Sequence, residues 1–149
     1  MNLPKVSIGA TIAIAVTGLF LTMITAGALV SSQTVPSGGT ITAVNVGVYT
    51  NSQCTINCTS IDWGTLSPGN STTKVIFVKN TGSVPVTLGM AAANWSPSNA
   101  NNYLTVTWNR PNYGLAAGSS VSATLTLTAS ASAGSITDFS FDIVITGTE

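Results

Sequence analysis

The sequence predicts an all-β protein: a β-sandwich of about six to eight strands, preceded by one N-terminal hydrophobic helix. Three observations lead to this fold class. Only 5% of the 149 residues are charged, and histidine is absent. Runs of alternating apolar and Ser/Thr side chains recur along the chain at roughly 10–20-residue spacing. After about residue 30 no helical periodicity occurs, and strands without intervening helices form sandwiches or barrels.

The N-terminal residues form one long apolar segment. Lys5 is the only charge before Val6–Val30, a stretch that has no charged side chain. One interpretation is a secretory signal peptide that comprises residues 1–28 and ends in the small residues Ala26–Ala28. A second is a retained membrane helix, because about 20 apolar residues span a bilayer; a third is a pilin-like helix. All three predict an extracellular or cell-surface protein, with membrane contact if the helix is uncleaved.

A linker and one domain follow the apolar segment. Residues 29–39 are rich in Ser, Pro and Gly, which is typical of a linker. Residues 40–149 have the length of an immunoglobulin-like sandwich. Their apolar side chains alternate with Ser and Thr, which predicts strands with one buried face. The predicted strands are Thr40–Thr50, Thr73–Lys79, Val84–Met90, Tyr103–Asn109, Val121–Ala129 and Asp138–Thr146.

The stretch Asp62–Thr87 predicts turn, strand, turn and strand in close succession. Leu66–Asn70 contains the Pro and Gly of a turn, and Asn80–Gly82 forms a second one. We predict a hairpin at the centre of the sandwich. The pattern Leu-x-x-Gly-x-Ser occurs at 66–71 and again at 115–120. It predicts matching entries to two strands at one end of the sandwich.

The composition excludes several classes of function. Four basic and four acidic residues give a formal net charge of zero. No run of phosphates could be neutralised, so we expect no nucleic-acid partner. No histidine is present to activate a serine, and the carboxylates form no DxDxDG calcium loop. We therefore expect no enzyme, no cofactor and no metal.

Cys54 and Cys58 predict a structural disulfide, as expected for two cysteines in an exported domain. The closed loop is short, so the loop-closure model gives about 2 kcal/mol of stabilisation. A metal site would need two further soft ligands, which the sequence lacks. A redox pair would favour CxxC, whereas the spacing here is CxxxC.

Three Asn residues precede the x-Ser/Thr pattern of N-glycosylation, and each falls in a predicted turn or loop. They are Asn57, Asn70 and Asn94. The alternative is chance occurrence in a chain rich in Asn, Ser and Thr. We favour Asn70 and Asn94, because Asn57 is adjacent to a predicted disulfide.

Two tryptophans, Trp63 and Trp95, lie in predicted turns or loops, which allows a function in binding sugars. Exposed indole rings could bind surface glycans, as in a carbohydrate-binding module. The alternative interpretation is that both rings fill the ends of the sandwich core.

Two segments point to assembly. Val75–Val78 is apolar on both faces, as expected of a strand that is covered on both sides. Thr40–Val48 follows a linker and is apolar enough to join a sheet edge. We hypothesise that part of Leu29–Val48 is a donor strand for a neighbouring subunit by β-strand addition. The alternative is the domain's own first strand. The candidate strand and groove residues are Ile41, Val44, Val46, Val48, Val75 and Phe77.

Four motifs occur between about Gly47 and Gly147. They are Leu66-x-Pro68-Gly69-x-Ser71-x-x-Lys74, Val78-x-Asn80-Thr81-Gly82, Leu115-x-x-Gly118-x-Ser120 and the terminal strand Phe139–Ile145. In these motifs the chain resembles secreted immunoglobulin-like proteins of the TasA/camelysin type, and it is most similar to small archaeal surface proteins of that kind, including bundling-pilus subunits. The resemblance implies an immunoglobulin-like or jelly-roll sandwich, export, and fibres in which one subunit's N-terminal strand fills a groove in the next. The chain is shorter than the bacterial fibre proteins.

The sequence therefore leads to one functional hypothesis and one alternative. The hypothesis is a structural subunit of an extracellular cell-surface filament or pilus, a homopolymer assembled by inter-subunit β-strand addition. The alternative is a membrane-anchored single immunoglobulin-like module that acts in adhesion or binding. The fate of Val6–Val30 discriminates between them, because a free fibre subunit would lose this segment.

Overall fold

The computed structural model describes residues 38–149, so the predictions for residues 1–37 lie outside the described residues. Within the described range no helix is long and apolar enough to cross a membrane. This range contains nine strands and two short 3₁₀ helices, Ser98–Asn102 and Ala133–Ser135. The strands are β1 (Gly38–Val44), β2 (Gly47–Tyr49), β3 (Ser60–Asp62), β4 (Ser71–Lys79), β5 (Val86–Ser96), β6 (Leu104–Trp108), β7 (Gly114–Leu115), β8 (Ser120–Ala129) and β9 (Ser140–Thr148).

The strands form two sheets, which confirms the predicted all-β fold. One sheet has the order β3-β1-β9-β5-β7 and the other has the order β2-β4-β8-β6. Side chains from both sheets form one core cluster. Ile76, Val78 and Leu125 contribute from one sheet, and Leu88 and Ile143 contribute from the other. Each such side chain stabilises the fold by about 1.5–3 kcal/mol on burial.

The predicted alternation of faces is confirmed along β8. Ala123, Leu125, Leu127 and Ala129 are buried, whereas the Ser and Thr between them point to the other face of the sheet. Side chains alternate because the strand period is two residues.

The predicted central hairpin is wrong. β4 and β5 belong to different sheets, so the segment 80–85 carries the chain from one sheet to the other. The strand that pairs with β4 is β8, with Ser71 opposite Thr128 and Lys79 opposite Ser120. The pairing of β4 with β5 was predicted wrongly because a turn signal indicates a change of direction but not the sheet in which the next strand lies.

Three other boundaries differ from the prediction. The single strand expected at Thr40–Thr50 is divided at Asn45–Val46 into β1 and β2, which lie in different sheets. β5 continues to Ser96 and so includes Trp95, which we predicted in a loop. β3 and β7 were not predicted, because two or three residues are too few for a periodic pattern.

The two Leu-x-x-Gly-x-Ser motifs serve as matching strand entries, but they lie at opposite ends of the sheet. Gly69 and Gly118 both have positive φ, which glycine adopts readily. Gly69 N donates to Ala129 O at the end of β8, and Gly118 N donates to Asn80 O just beyond β4. Because β4 and β8 are antiparallel, each turn closes against the end of the other strand.

Asn80 is the buried polar residue of the described core, with 0% of its surface exposed. Its Nδ2 donates to Val84 O at 2.7 Å and to Leu115 O at 3.1 Å. Its Oδ1 accepts from Gly82 N at 2.9 Å, and its backbone N donates to Ser119 O at 2.9 Å. One side chain thus holds the crossover 80–85 against the entry to β8.

Replacing Asn80 by Ala should lower the free energy of unfolding by about 2–4 kcal/mol, because two carbonyls and one N–H lose their partner near the core. Urea unfolding followed by circular dichroism measures this. Thr81→Ala, at an exposed neighbour, is the control and should change the value by less than about 0.5 kcal/mol. Equal effects of the two substitutions would contradict the assigned role of Asn80.

Candidate strand-exchange site

β1 lies in a slot between two strands of its own chain. It runs parallel to β9, from Gly39 opposite Phe141 to Val44 opposite Thr146. On its other side it is antiparallel to β3, with Gly38 opposite Asp62. Beyond the end of that ladder, Ile41 N donates to Thr59 O at 3.0 Å. β1–β9 is the one parallel pairing among residues 38–149, and the other strand pairs are antiparallel.

The four candidate donor residues are divided between the two sheets. Ile41 is buried from β1, and Val44 forms the end of β1 opposite Thr146. Val46 and Val48 are buried after the chain has crossed to the other sheet. In this single chain both strands therefore complete the domain's own sheets, which is the arrangement of our alternative interpretation.

The two candidate groove residues do not lie beside β1. Ile76 and Val78 of β4 are buried in the core, so Val75 and Phe77 point to the outer face of the sheet. Phe77 is half-buried and lies opposite Tyr49 of β2, whereas Val75 is 55% exposed. We predicted that Val75–Val78 is covered on both faces, but no described residue covers the outer face at Val75.

An aromatic cluster borders the slot at the start of β1. Phe141 stacks on Trp95, with ring centroids 4.2 Å apart, and on Trp63 at 6.0 Å. Phe139 extends the cluster, with its ring 6.3 Å from Phe141. Trp63 is 2% exposed, so it has no face open to a sugar and fills the core.

At Gly39 the backbone of β1 passes close to this cluster. A Cβ added there would lie 2.9 Å from Phe141 O and 3.7 Å from Trp63 Nε1. Trp63 Nε1 is itself buried and has no hydrogen-bond partner in residues 38–149. A buried N–H without a partner costs about 1–3 kcal/mol. The chain's own β1 thus fills the slot but leaves one donor in it unsatisfied.

The close approach of Gly39 to Phe141 and Trp63 differs from the sequence-based prediction, in which Gly38 and Gly39 belong to the linker. A signal was available, since Gly next to a β-branched run also marks a close approach of backbone.

A two-residue joint connects β1 to the rest of the domain. Asn45 has φ of 60°, a left-handed conformation that Asn tolerates. Its Nδ2 donates to Gly147 O at 3.2 Å, and the Cγ1 of Val46 lies close to Gly147. The joint therefore fixes the point at which the chain leaves one sheet for the other.

The predicted disulfide is absent: Cys54 and Cys58 are both free thiols. Cys54 has φ of 53° in a loop that Asn51 organises, because Asn51 Oδ1 accepts from Thr55 N and Ile56 N, each at 3.0 Å. Cys54 Sγ is directed towards Ser52 O, whereas Cys58 Sγ is buried and directed towards Ser60 O. The loop is held by the Asn51 side chain instead.

The three candidate glycosylation residues are all exposed. Asn70 lies in the turn before β4, and Asn57 lies opposite Tyr49. Asn94 lies within β5, not in a loop, and its Nδ2 donates to Asp142 Oδ2 at 2.7 Å. A glycan on Asn94 would replace that hydrogen bond, whereas the exposed amides of Asn57 and Asn70 make no side-chain hydrogen bond within residues 38–149.

No group of three or more His, Cys, Asp or Glu side chains that could hold a metal occurs in the described part of the chain. Neither protein-family models nor curated protein sequences match this chain. The functional assignment therefore depends on the geometry of the strands.

Replacing Gly39 by Val should weaken the packing of β1 in its slot, because the valine side chain would overlap the backbone oxygen of Phe141. Overpacking of this kind costs about 1–3 kcal/mol. Hydrogen exchange of β1 amides should accelerate more than that of β8. Thr40→Val, at the next and exposed position, is the control and should leave exchange unchanged. Unchanged protection in Gly39→Val would show that the close approach does not exist.

At pH 8, Cys54 should react with iodoacetamide at least tenfold faster than Cys58. Burial raises the pKa of the Cys58 thiol above its ordinary value of 9.0, and the thiolate is the reactive form. The same shift stabilises the fold below pH 9, and this contribution is lost as the pH rises above that value.

Peptide mass spectrometry of partly labelled protein measures the two rates, and labelling in urea is the control in which they should converge. Equal rates in the folded protein would contradict the burial of Cys58. Reaction of neither residue before reduction would instead indicate the disulfide.

Proposed function

We propose that this chain is the structural subunit of an extracellular cell-surface filament, in which β1 of one copy occupies the slot between β9 and β3 of the next. The observation that carries the proposal is the attachment of β1. It is the first strand of the described residues, it is paired in parallel with β9, and residues Asn45–Val46 connect it to the strands that follow. Residues 1–37 precede it directly.

Exchange of β1 requires few new contacts. A strand that moves to an identical neighbour makes the same hydrogen bonds and core contacts there as in its own chain, and only the joint changes conformation. Asn45 is already in the left-handed region, and residues 45–46 lie outside both ladders. The domain beyond the joint keeps β2 paired with β4.

The slot cannot remain empty. Without β1, the edge of β9 would present unpaired backbone groups beside the apolar side chains of Phe141, Ile143 and Ile145. Such an edge binds another strand readily. When each copy fills the slot of the next, the contact is head-to-tail, and such a contact generates an open filament where the rotation between copies does not close a ring.

The low charge also supports a neighbour's strand as occupant. With 5% of its residues charged, the chain suits a subunit that is surrounded by other copies more than a free monomer.

The two sheets of five and four strands are compatible with the immunoglobulin-like or jelly-roll class, and we propose membership of the TasA/camelysin type on the motifs given above. We also propose export, with residues 1–28 as a signal peptide or membrane helix. Asn70 is then the first candidate for a glycan at the cell surface.

The alternative is a membrane-anchored single module that acts in adhesion or binding. The pairing of β1 with β9 and β3 of its own chain favours this single module, because a completed sandwich needs no neighbour. The two functions differ in one measurable respect, which is whether β1 contacts β9 of the same chain or of another.

A pair of introduced cysteines distinguishes the two. Thr40 lies opposite Asp142 in the parallel register of β1 and β9. A chain with Thr40→Cys and Asp142→Cys, in which Cys54 and Cys58 are replaced by Ser, should form interchain disulfides if β1 is exchanged. Surface material oxidised gently should then give a ladder of multimers on a non-reducing gel, together with filaments in negative-stain images.

The control carries Thr40→Cys with Thr146→Cys, four residues out of register, roughly 13 Å along the strand. It should give no ladder. A disulfide confined to the monomer in the first variant would overturn the filament proposal and support the single module. N-terminal sequencing of the same material shows whether residues 1–28 are present.

A further inference from the structure

The edges of the two sheets are not equally protected. Three of the four terminal strands in the described domain are very short: β3 and β2 have three residues each, and β7 has two. The fourth, β6, has five residues, LTVTW, without charge, Pro or Gly. Short strands, charges and prolines are the devices that protect a sheet edge against pairing, and β6 has none of them.

The backbone of β6 has a free row of hydrogen-bonding groups. Tyr103 O accepts from Ser130 N at 2.8 Å, and Asn109 N donates to Thr124 O at 3.2 Å. Since alternate residues of an antiparallel strand bond to the same neighbour, the odd-numbered residues direct their backbone to β8. Leu104, Val106 and Trp108 direct theirs away from it, where no strand of the described domain lies.

We propose that this outer edge of β6 binds the same edge of a second copy of the chain, antiparallel about a two-fold axis at Val106. In this register the three outward-directed residues of each copy form three pairs, and each pair exchanges two hydrogen bonds. The result is one continuous eight-stranded sheet with the order β2-β4-β8-β6 in each half. The partner is therefore a second copy, and not an unrelated peptide.

The side chains of β6 are self-complementary in that register. Val106 lies opposite Val106 of the partner subunit, and Leu104 lies opposite Trp108 of the partner subunit. Val106 and Trp108 are only half-buried in the single chain, so both gain apolar contact. On the outer face the exposed Thr105 lies opposite Thr107 of the partner subunit. Apolar, aromatic and Thr–Thr pairs across strands each contribute roughly 0.2–1 kcal/mol.

Charge placement distinguishes β6 from the other free edge of this sheet. β2 covers only Phe77–Lys79 of β4, so Ser71–Ile76 also has no neighbour on that side. On β4, however, Lys74 shares the inner face of the sheet with Ile76 and Val78. An inward-pointing lysine in an edge disfavours a second apolar strand. β6 has no such charge on either face.

The size of the contact indicates how it is used. A five-residue strand is about 17 Å long, and a stable interface buries about 800 Å² on each partner. One β6 pair therefore gives a weak dimer, which becomes strong only where many copies are held together. The contact does not depend on β1 exchange, although a filament would repeat it along its length.

Thr105 and Thr107 provide a specific test. In full-length chains with Cys54→Ser and Cys58→Ser, a mixture of Thr105→Cys and Thr107→Cys copies should cross-link at least tenfold more than either variant alone. Only the mixture places two cysteines directly opposite each other. In each single variant the two equivalent residues are diagonal, about 7–8 Å apart, which is too far for a disulfide.

Val106→Pro, added to both copies, should reduce the cross-linking to the level of the single variants, because it removes an outward N–H that β8 does not use. Val106→Ile retains that N–H and should have no effect. If Val106→Pro does not fold by circular dichroism, Val106→Lys replaces it. Equal cross-linking in mixture and single variants, its absence from the mixture, or its persistence in Val106→Pro or Val106→Lys would overturn the proposal, whether or not filaments form.

Discussion

The buried side chain of Asn80 is the interaction on which the rest of the described fold depends. Its amide holds Val84 O and Leu115 O, and its backbone pairs with Ser119 and Gly118. These contacts fix where the chain leaves β4 and where it enters β8, and the nine-residue ladder between those strands follows from them. Because buried polar groups are nearly always hydrogen-bonded, these partners favour the observed path of the crossover 80–85. The crossover takes the chain into the second sheet, so the same amide also determines that β5 packs across the core from β4.

The strands of this protein could be predicted from the sequence far better than their arrangement. Period-two alternation gives β8 and the buried face of β9 directly, because it depends only on local geometry. Sheet membership depends on contacts between distant residues. The turn Asn80–Gly82 suggested a hairpin, whereas the amide of Asn80 finds its partners on both Val84 and the distant Leu115 and so produces a crossover. The division of Thr40–Thr50 at Asn45 was equally hidden, since an Asn within a β-branched run has no distinct periodic signal.

The contacts around the slot of β1 could likewise be predicted from the sequence only in part. Ile41, Val46 and Val48 were recognised as apolar strand residues, and all three are buried. What the pattern could not give is that Gly39 lies against Phe141 O and Trp63, because these residues come from three separate parts of the chain. Val75 and Phe77 were grouped with β1 only because both segments are apolar, and the structure separates them onto the outer face of the other sheet. The disulfide was inferred from the presence of two cysteines in an exported domain, whereas the structure shows the loop shaped by the hydrogen bonds of Asn51.

The near-absence of charge connects the two proposed contacts. A domain with few lysines and carboxylates has few ways to protect its sheet edges, and this one relies mainly on strand length. β2, β3 and β7 are too short to serve as templates, and Lys74 protects the part of β4 that β2 leaves open. Two edges concern the proposed contacts: the edge of β9, which is covered only while a β1 strand occupies it, and the edge of β6, which no described segment covers. Both belong to strands with apolar inner faces. They are not the only stretches of the described domain without a neighbour, because β7 pairs with only Val86 and Thr87 of β5. The two proposed contacts thus depend on one property, which is a strand with an apolar inner face whose backbone groups are open to another strand.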